Sequence, residues 1–426
     1  MRPYLRTIGL LALLILAGCA PLLEPTPSPL PAEPTTAIVP ATATADLRST
    51  ASSGPLRLWL PPFLDPASGT AAGDLLAERL EAFSQQYPEL PIDVRVKAEL
   101  GPAGLLESLR VATAAAPSTL PDIIALDPAG LHTAALKGLI APQTDILPAP
   151  DEDIWYPVAA DAAYIDDVLY GAPFASDALF FCYRASAYEN RPVSWSALIE
   201  SDRSFLFPAG DPQAVFTLAL YQSLGGSLAG PSGRPSLDPE VLSAVLAFYV
   251  SARVAGVLPT SVSSMTSADQ TWQTLFEGRA DSATAMLHSF LRPPRAQFLA
   301  AAPLPTRMGD GVALTSTWSW ALVAVDPVRQ AAAAELVRWL GDPAFLGPWT
   351  QALGLMPPTA AALQAWTTPE DASAVADLAE ASLARPSEEL LAIFGPPLQQ
   401  AVQAVLTAGA SADAAAFDAA QSLSTQ

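Results

Sequence analysis

The chain has few of the side chains from which most catalytic and metal sites are built. Its 426 residues include two cysteines, two histidines and only two lysines, Lys97 and Lys137. Two histidines, His132 and His288, leave little material for a His-built zinc site or a Ser–His triad. Two lysines likewise argue against a lysine-dependent mechanism.

Familiar catalytic motifs are also missing. The chain has no H-E-x-x-H, no G-x-S-x-G and no Walker A sequence, which mark zinc proteases, serine hydrolases and P-loop ATPases. A carboxylate pair stays open, because 42 acidic residues are present and a glycoside hydrolase needs only two. The most visible pair is Asp166 and Asp167, but neighbouring side chains in a turn point apart. We therefore predict no enzyme activity, no cofactor and no metal site.

Positive charge is scarce. Lys and Arg together number 21 against 42 Asp and Glu, which gives a formal net charge of −21. So acidic a surface argues against nucleic acid or anionic lipid as a partner, because both are polyanions. Net charge bears mainly on solubility, so it does not indicate a cationic ligand.

Long apolar runs are absent except for one near the N-terminus. After two arginines, residues 8–17 are apolar, a length that suits a signal peptide but is too short to span a bilayer. Residues 16–19 read LAGC and resemble the lipobox of bacterial lipoproteins. The resemblance implies a signal peptide at 1–18, a lipid on Cys19 and an anchor at the outer face of the bacterial cell membrane. An ordinary signal peptide or an uncleaved anchor helix is the alternative.

Residues 19–55 have the composition of a tether. They are rich in proline, threonine and alanine, with little charge and no apolar periodicity. Such a segment buries too little surface to offset its ordering entropy, so we predict a disordered linker that reaches about 30 to 35 Å as a coil. Lipid on Cys19 would leave Cys182 without a disulfide partner, and we interpret Cys182 as a small buried side chain.

The rest of the chain, residues 56–426, alternates strand and helix patterns. Strand patterns at 56–60, 92–96 and 121–126 flank a helix with Leu76, Leu80, Phe83 and Tyr87 on one face, ended by Pro88, and a second helix at 105–115. This βαβαβ order predicts an α/β fold with a mostly parallel sheet flanked by helices. Its length indicates two domains or one two-lobed body.

Asp-Pro pairs mark two later helix starts. Aspartate is a good N-cap, and proline suits the next position because its missing N–H has no partner there. Asp238-Pro239 therefore predicts a helix that ends before Gly256, and Asp326-Pro327 a helix that ends before Gly341.

Short motifs in a fixed order resemble the extracellular solute-binding proteins of family 1, the maltose-binding-protein-like receptors of ABC importers. None is specific alone, but their order spans nearly the whole folded part. They are FSQQYP at 83–88, PDI at 121–123, LKGLIAP at 136–142, DVLYGAP at 167–173, LFFCY at 179–183, SWSAL at 194–198, FEGRA at 276–280 and LGLMP at 353–357.

The resemblance implies a two-lobed periplasmic-binding-protein-like fold of type II. The implied division is lobe 1 at 56–173 plus 297–325 and lobe 2 at 174–296 plus 326–426, with a ligand cleft between the lobes and a hinge near 174–177. It also implies a monomer that closes on a small solute, most simply a sugar or oligosaccharide, and delivers it to an ABC permease. A lipid-anchored carbohydrate-active enzyme and a non-transport surface scaffold are the alternatives.

Six residues are the predicted ligand contacts. Tryptophan rings accept the C–H faces of sugars; Trp59 ends the first strand, and Trp318 and Trp320 lie in an otherwise polar segment. By resemblance, Asp127 and Asp177 map near the cleft of the family; a helix cap or a hinge hydrogen bond is the alternative role for each. His288 stands, by spacing, where the family commonly has a stacking tryptophan, and Tyr183-Arg184 replaces the usual tyrosine-asparagine.

Overall fold

The structure is a computed structural model that describes residues 54–144, 146–147, 154–230, 233–293 and 297–424. The predicted signal peptide, Cys19 and nearly all of the predicted tether lie outside these residues. Within the described ranges, no helix has both the length and the apolar character needed to cross a membrane.

Strands and helices alternate along the described chain. The strands are β1 (Leu56–Leu60), β2 (Ile92–Val96), β3 (Ile123–Leu126), β4 (Tyr164–Ile165), β5 (Val168–Leu169), β6 (Ala172–Arg184), β7 (Phe205–Leu206), β8 (Ser282–Met286), β9 (Leu299–Ala302), β10 (Ala313–Leu322) and β11 (Ser382–Ala384). The helices are α1 (Ala71–Gln86), α2 (Leu105–Ala115), α3 (Pro128–Leu136), α4 (Pro157–Ala163), α5 (Trp195–Glu200), α6 (Val215–Ser223), α7 (Pro239–Val254), α8 (Ala268–Phe276), α9 (Leu287–Leu291), α10 (Pro327–Leu340), α11 (Pro343–Leu353), α12 (Ala360–Gln364), α13 (Pro369–Glu380), α14 (Glu388–Thr407) and α15 (Ala412–Ser424).

The predicted βαβαβ unit is confirmed. β1, β2 and α2 have the predicted bounds, and α1 ends at Gln86, just before Pro88. The third strand begins two residues later than predicted, at Ile123. Asp122 lies just before it, and its carboxylate accepts the main-chain N–H of Arg57 at 2.8 Å.

Both predicted Asp-Pro helix starts are confirmed. The side chain of Asp238 accepts hydrogen bonds from first-turn N–H groups of α7, and that of Asp326 does the same for α10. Each carboxylate thus satisfies donors that have no partner inside the helix.

One nine-stranded sheet runs through the described chain. Its order is β2-β1-β3-β10-β6-β8-β7, with β11 paired to β10 and β9 paired to β6. The pairs β1–β2, β1–β3 and β7–β8 are parallel, whereas β10 and β6 run antiparallel to each other and to their neighbours β3 and β8. The two long strands therefore join two smaller parallel groups.

Each end of this sheet has its own core. Around β1, Leu58 packs on one face with α1, and Trp59 packs on the other face with α2. The other end is buried in a separate cluster that includes Phe205 and Tyr249. We call the two bodies the first lobe and the second lobe.

Three segments cross between the lobes. Along β6, Ala175 belongs to the first core and Ala178 to the second; along β10, Leu314 belongs to the second core and Trp320 to the first. The third crossing lies at 355–356. The β6 crossing overlaps the predicted hinge at 174–177.

The cores divide the chain differently from the predicted lobe boundaries. Helices α10 and α11, predicted in lobe 2, pack their apolar sides on β1 and α1 in the first core. Strand β9, predicted in lobe 1, pairs with β6 and is buried in the second core. The reason is that β10 begins in the second lobe and ends in the first, so the helices that follow it along the chain pack in the first lobe.

Candidate functional site

The three crossing segments lie side by side and are hydrogen bonded to one another. Ser176 and Met356 exchange both main-chain hydrogen bonds, at 2.8 Å each. The hydroxyls of Ser176 and Thr317 are buried and 2.9 Å apart. The lobes are therefore joined through a narrow, ordered strip of three extended segments.

One side of this strip forms the floor of a cleft. In the β6–β10 register, Asp177 lies opposite Ser316 and Leu179 lies opposite Leu314. Because alternate residues of a strand point to the same side, Trp318 belongs to the same row as Ser316. Met286 of β8 continues the row beyond Leu179.

The cleft has a volume of about 580 Å³ and a mixed lining. Aromatic and aliphatic side chains of the strip meet polar groups from the second lobe. The charged and polar lining residues include Asp177, Asp211, Asp269, His288, Gln213 and Arg385.

The Asp177 carboxylate and the His288 imidazole form a pair at the cleft. His288 Nδ1 lies 2.6 Å from Asp177 Oδ2, and Asp177 Oδ1 accepts the main-chain N–H groups of Ala178 at 3.0 Å and of His288 at 3.2 Å. The hydrogen bond to Asp177 raises the pKa of His288 above its usual value, and burial opposes this effect. The predicted residues Asp177 and His288 are thus brought together by the fold.

Arg385 is held in a second polar group at the cleft. Its guanidinium donates to Glu388 Oε1 and to Gln213 Oε1, both at 2.8 Å, and Gln213 Nε2 donates to Glu388 Oε2 at 2.7 Å. Arg385 follows β11, and its main-chain N–H donates to Thr315 of β10. The positive charge of Arg385 is therefore neutralised within the lining.

Asp211 shapes the wall of the cleft at the start of α6. Its carboxylate accepts the N–H groups of Gln213 and Val215, at 3.0 Å each. These bonds hold Ala214 at a φ of 48°, in the left-handed region that residues other than glycine rarely adopt. Each carboxylate oxygen of Asp211 therefore already accepts a main-chain hydrogen bond.

Trp318 is the predicted tryptophan that faces the cleft. Its ring is partly exposed and lines the cavity. The Phe63 and Trp318 rings pack in a T-shaped arrangement, with centroids 5.0 Å apart and planes at 72°. The indole therefore packs against Phe63 and also lines the cavity.

Trp320 lies in the core of the first lobe. It is 1% exposed, stacked on Phe174 at 4.3 Å and parallel to Trp349 at 6.3 Å. Helix α11 carries Trp349 and covers this end of β10. The predicted ligand contact of Trp320 is therefore not part of the cleft.

Trp59 is likewise placed in the core. It is 3% exposed and packs with α2, and Lys97 Nζ lies 4.2 Å from its ring centroid. The prediction located it correctly at the carboxyl end of β1, but the side chain points to the face that α2 covers. Cys182 is also buried, as predicted, and burial strongly raises the pKa of its thiol.

Asp127 is the N-cap of α3. Its Oδ1 accepts the N–H of Gly130 at 2.9 Å. Burial raises its pKa, the Gly130 hydrogen bond opposes this, and the charge of Glu388 raises it further. Asp127 is not among the described residues that line the cavity, but the charge of Glu388, at the start of α14, acts on its carboxyl group. Its role as a ligand contact stays a prediction.

Sequence reasoning missed the polar residues of the second lobe. Gln213, Arg385 and Asp269 lie in loops or at a helix start and carry no periodic signal. Asp211-Pro212 repeats the Asp-Pro pattern and offered a cue to a structured helix start. Among the described residues, no group of three or more His, Cys, Asp or Glu side chains is arranged to hold a metal ion.

A family model matches most of the chain. The model of the bacterial extracellular solute-binding proteins covers residues 78–378, which is more than two-thirds of the 426 residues. No curated protein sequence matches the chain significantly.

Solved structures share the fold over nearly their whole length. MalE, the sugar-binding protein of Xanthomonas citri, is 20% identical with a TM-score of 0.70, covering 87% of this chain and 97% of that protein. The maltose-bound MalE3 of T. maritima is 19% identical with a TM-score of 0.64, covering 87% and 99%. UgpB of Mycobacterium tuberculosis, solved with glycerophosphocholine, is 18% identical with a TM-score of 0.65, covering 88% and 98%. The predicted two-lobed fold is thereby confirmed.

Proposed function

The chain belongs to the bacterial extracellular solute-binding proteins, and we therefore propose that it captures a sugar or oligosaccharide and delivers it to an ABC permease. The observation that carries the proposal is the cleft at the three-segment strip, which Trp318, Asp177 and His288 line together. A cleft at the junction of two lobes is where a small solute contacts both bodies at once.

Closure of the lobes follows from the way they are joined. The crossing segments of β6, β10 and 355–356 are extended and mutually hydrogen bonded. A small change in their backbone angles rotates one lobe against the other while each core stays intact. Solute that contacts both lobes then favours the closed arrangement, which the permease recognises.

The lining suits an uncharged, hydroxyl-rich solute. The indole of Trp318 offers an apolar face, and Ser316, Thr266 and Asp269 offer hydrogen-bonding groups. Both cationic groups of the lining are paired, His288 with Asp177 and Arg385 with Glu388. An anionic solute would therefore meet unpaired negative charge without a free cation to compensate it.

Similar proteins are described with small solutes that carry hydroxyl groups. MalE of Xanthomonas citri is a sugar-binding protein, MalE3 of T. maritima was solved with maltose, and UgpB of Mycobacterium tuberculosis with glycerophosphocholine. This range supports a polyhydroxylated solute and leaves its identity to experiment.

We propose binding without catalysis. A glycoside hydrolase needs one carboxyl group to donate a proton and a second to act as nucleophile or base. In the cleft, Asp177 is bonded to His288 and Asp211 to main-chain N–H groups. Both carboxylates are therefore held in hydrogen bonds to the protein itself. Asp269 is then the one remaining carboxylate among the described residues that line the cavity, where catalysis would need two.

The lipid anchor on Cys19 and the tether at 19–55 complete the proposal. An extracytoplasmic receptor that is monomeric would diffuse away from its importer unless it were held. Metabolic labelling with a fatty acid tests the anchor directly: the wild-type protein should be labelled and Cys19→Ser should not. Labelling of the variant would contradict lipidation at this residue.

A thermal-shift screen tests the binding function. Maltose, maltotriose, trehalose, glycerophosphocholine and glucose 6-phosphate are added at increasing concentrations. A binder at 100 times its Kd should stabilise the protein by about 2.7 kcal/mol, which raises Tm by a few degrees. If no neutral sugar or polyol raises Tm, the sugar-binding proposal fails; a response to glucose 6-phosphate alone would overturn the charge argument.

A further inference from the structure

The Asp177 carboxylate is occupied by donors of the protein itself. Its Oδ2 accepts a hydrogen bond from His288 Nδ1, and its Oδ1 accepts hydrogen bonds from the main-chain N–H groups of Ala178 and His288. Three donors from β6 and α9 thus converge on one side chain. A carboxylate held in this way orients its neighbours and has little capacity left to accept from a solute.

The ring of His288 has one nitrogen left for the cleft. Its Nδ1 is used by Asp177, and its side chain is 33% exposed at the cavity lining. In the part of the chain that the structure describes, Nε2 has no hydrogen-bond partner. The hydrogen bond at Nδ1 determines which nitrogen faces the solute.

We infer that His288 donates a hydrogen bond from Nε2 to an oxygen of the bound solute, with Asp177 as the residue that positions the imidazole. This inference rests on the proposed binding function and assigns roles within that same cleft. It differs from the stacking role implied by family resemblance, because an edge nitrogen, and not the ring face, makes the contact.

The charged groups around the ring determine how binding depends on pH. Asp177 on β6 raises the pKa of His288 through its hydrogen bond and its charge, and Asp269 on α8 raises it slightly. Burial and the neighbouring Arg292, which follows α9, lower it. Below the raised pKa, both ring nitrogens carry protons and Nε2 donates. Above that pKa, Nδ1–H stays with Asp177 and Nε2 becomes an acceptor.

Affinity should therefore fall as the pH rises through the pKa of His288. A charge-assisted hydrogen bond exceeds a neutral one by roughly a factor of two in strength, which corresponds to about a fivefold change in Kd. The acceptor is a hydroxyl or ring oxygen of a neutral solute, because Asp269 and Asp211 also line the cavity and oppose an anion.

The first experiment needs no ligand. The chain has only two histidines, so NMR titration of the imidazole C–H signals in His132→Gln follows His288 alone. We expect a pKa above the usual value of about 6.5, and a lower pKa when Asp177→Asn is added. A pKa at or below the usual value, or one unaffected by Asp177→Asn, would overturn the positioning role.

The second experiment uses the neutral sugar from the thermal-shift panel that raises Tm most. Its Kd is measured by calorimetry at pH 5.5, 6.5, 7.5 and 8.5 for wild type, His288→Gln, His288→Phe and the control His132→Gln. Wild type and the control should lose about fivefold in affinity with rising pH. Glutamine retains an N–H donor, so His288→Gln should bind without pH dependence, and His288→Phe should bind at least fivefold more weakly than wild type at pH 5.5.

The outcomes separate the two proposals. No binding by any panel member at any pH contradicts the sugar-binding function itself. Binding that is independent of pH in the wild type, or full affinity in His288→Phe, leaves the receptor function intact and overturns the donor role. Circular dichroism of each variant checks that the fold is retained.

Discussion

Strand β10 carries two tryptophans in opposite settings. Trp318 and Trp320 are two residues apart on one strand and point to the same side of it. Trp320 packs with Phe174 and Trp349 and is 1% exposed, whereas Trp318 contacts Phe63, is partly exposed and lines the cavity. The two tryptophans differ in what packs against them: Trp349 of helix α11 contacts Trp320, and Phe63 contacts Trp318.

That difference separates stability from function along one strand. Trp320 packs with α11 in the core of the first lobe, while Trp318 lines the cavity beside the strip where the lobes join. Substitution of Trp320 should therefore lower the free energy of unfolding, and substitution of Trp318 should lower affinity. Four measurements test this contrast.

The largest effect is expected for Trp320→Ala. It removes a fully buried ring that packs on Phe174 and Trp349, and such a loss costs about 3 to 5 kcal/mol of unfolding free energy. Urea denaturation measures it. Solute affinity of the folded fraction should stay within twofold of wild type. A loss of less than 1 kcal/mol would mean that the first core tolerates the cavity.

Trp318→Ala should act mainly on binding. The exposed part of the ring supplies the apolar face for the solute, and we expect Kd to rise about tenfold, with a loss of stability near 1 kcal/mol. The matched control is Trp272→Ala, because Trp272 is also partly exposed but lies on α8 outside the cavity lining. Equal affinities for both variants would remove Trp318 from the site.

Thr317→Val probes the strip where the lobes join, next to Trp318. It keeps the shape of the side chain but leaves the Ser176 hydroxyl buried without its partner 2.9 Å away. We expect a cost of about 1 to 2 kcal/mol. Adding Ser176→Ala should restore part of the loss, because both polar groups are then gone. A double variant that is less stable than the sum of the singles would contradict this pairing.

The smallest effect concerns the pH dependence of stability at His288. Its pKa is raised in the folded protein, so the Asp177 pair stabilises fully below the unfolded pKa of about 6.5 and less as pH rises through the folded value. The urea midpoint of wild type should exceed that of His288→Gln by more at pH 5.5 than at pH 8.5. Partial exposure screens the pair, so we expect less than 1 kcal/mol.

Much of the fold was predictable from short-range patterns. The bounds of β1, β2 and α2 and the caps at Asp238 and Asp326 follow from alternation, apolar stripes and first-turn hydrogen bonds. Each of these acts within a few residues, so the neighbouring sequence contains the whole cause.

The site was predictable only in part. Trp318 was found from its polar surroundings in the sequence, Asp177 and His288 were found through family resemblance, and the fold brings all three to one cavity. Arg385 and Gln213 were missed, because a polar residue in a loop has no periodicity that marks it. Their hydrogen bond joins positions 172 residues apart, and no local pattern reports a partner at that distance.

By itself, the sequence determined the alternation of strands and helices, the helix starts and the membership of a binding-protein family. Tertiary packing fixes which residues of β10 are covered, which lobe receives α10 and α11, and which nitrogen of His288 is bonded to Asp177. The reason is that local conformation depends on nearby residues, whereas burial and pairing depend on segments far along the chain. The Asp177–His288 pair spans 111 positions, and only folding creates it.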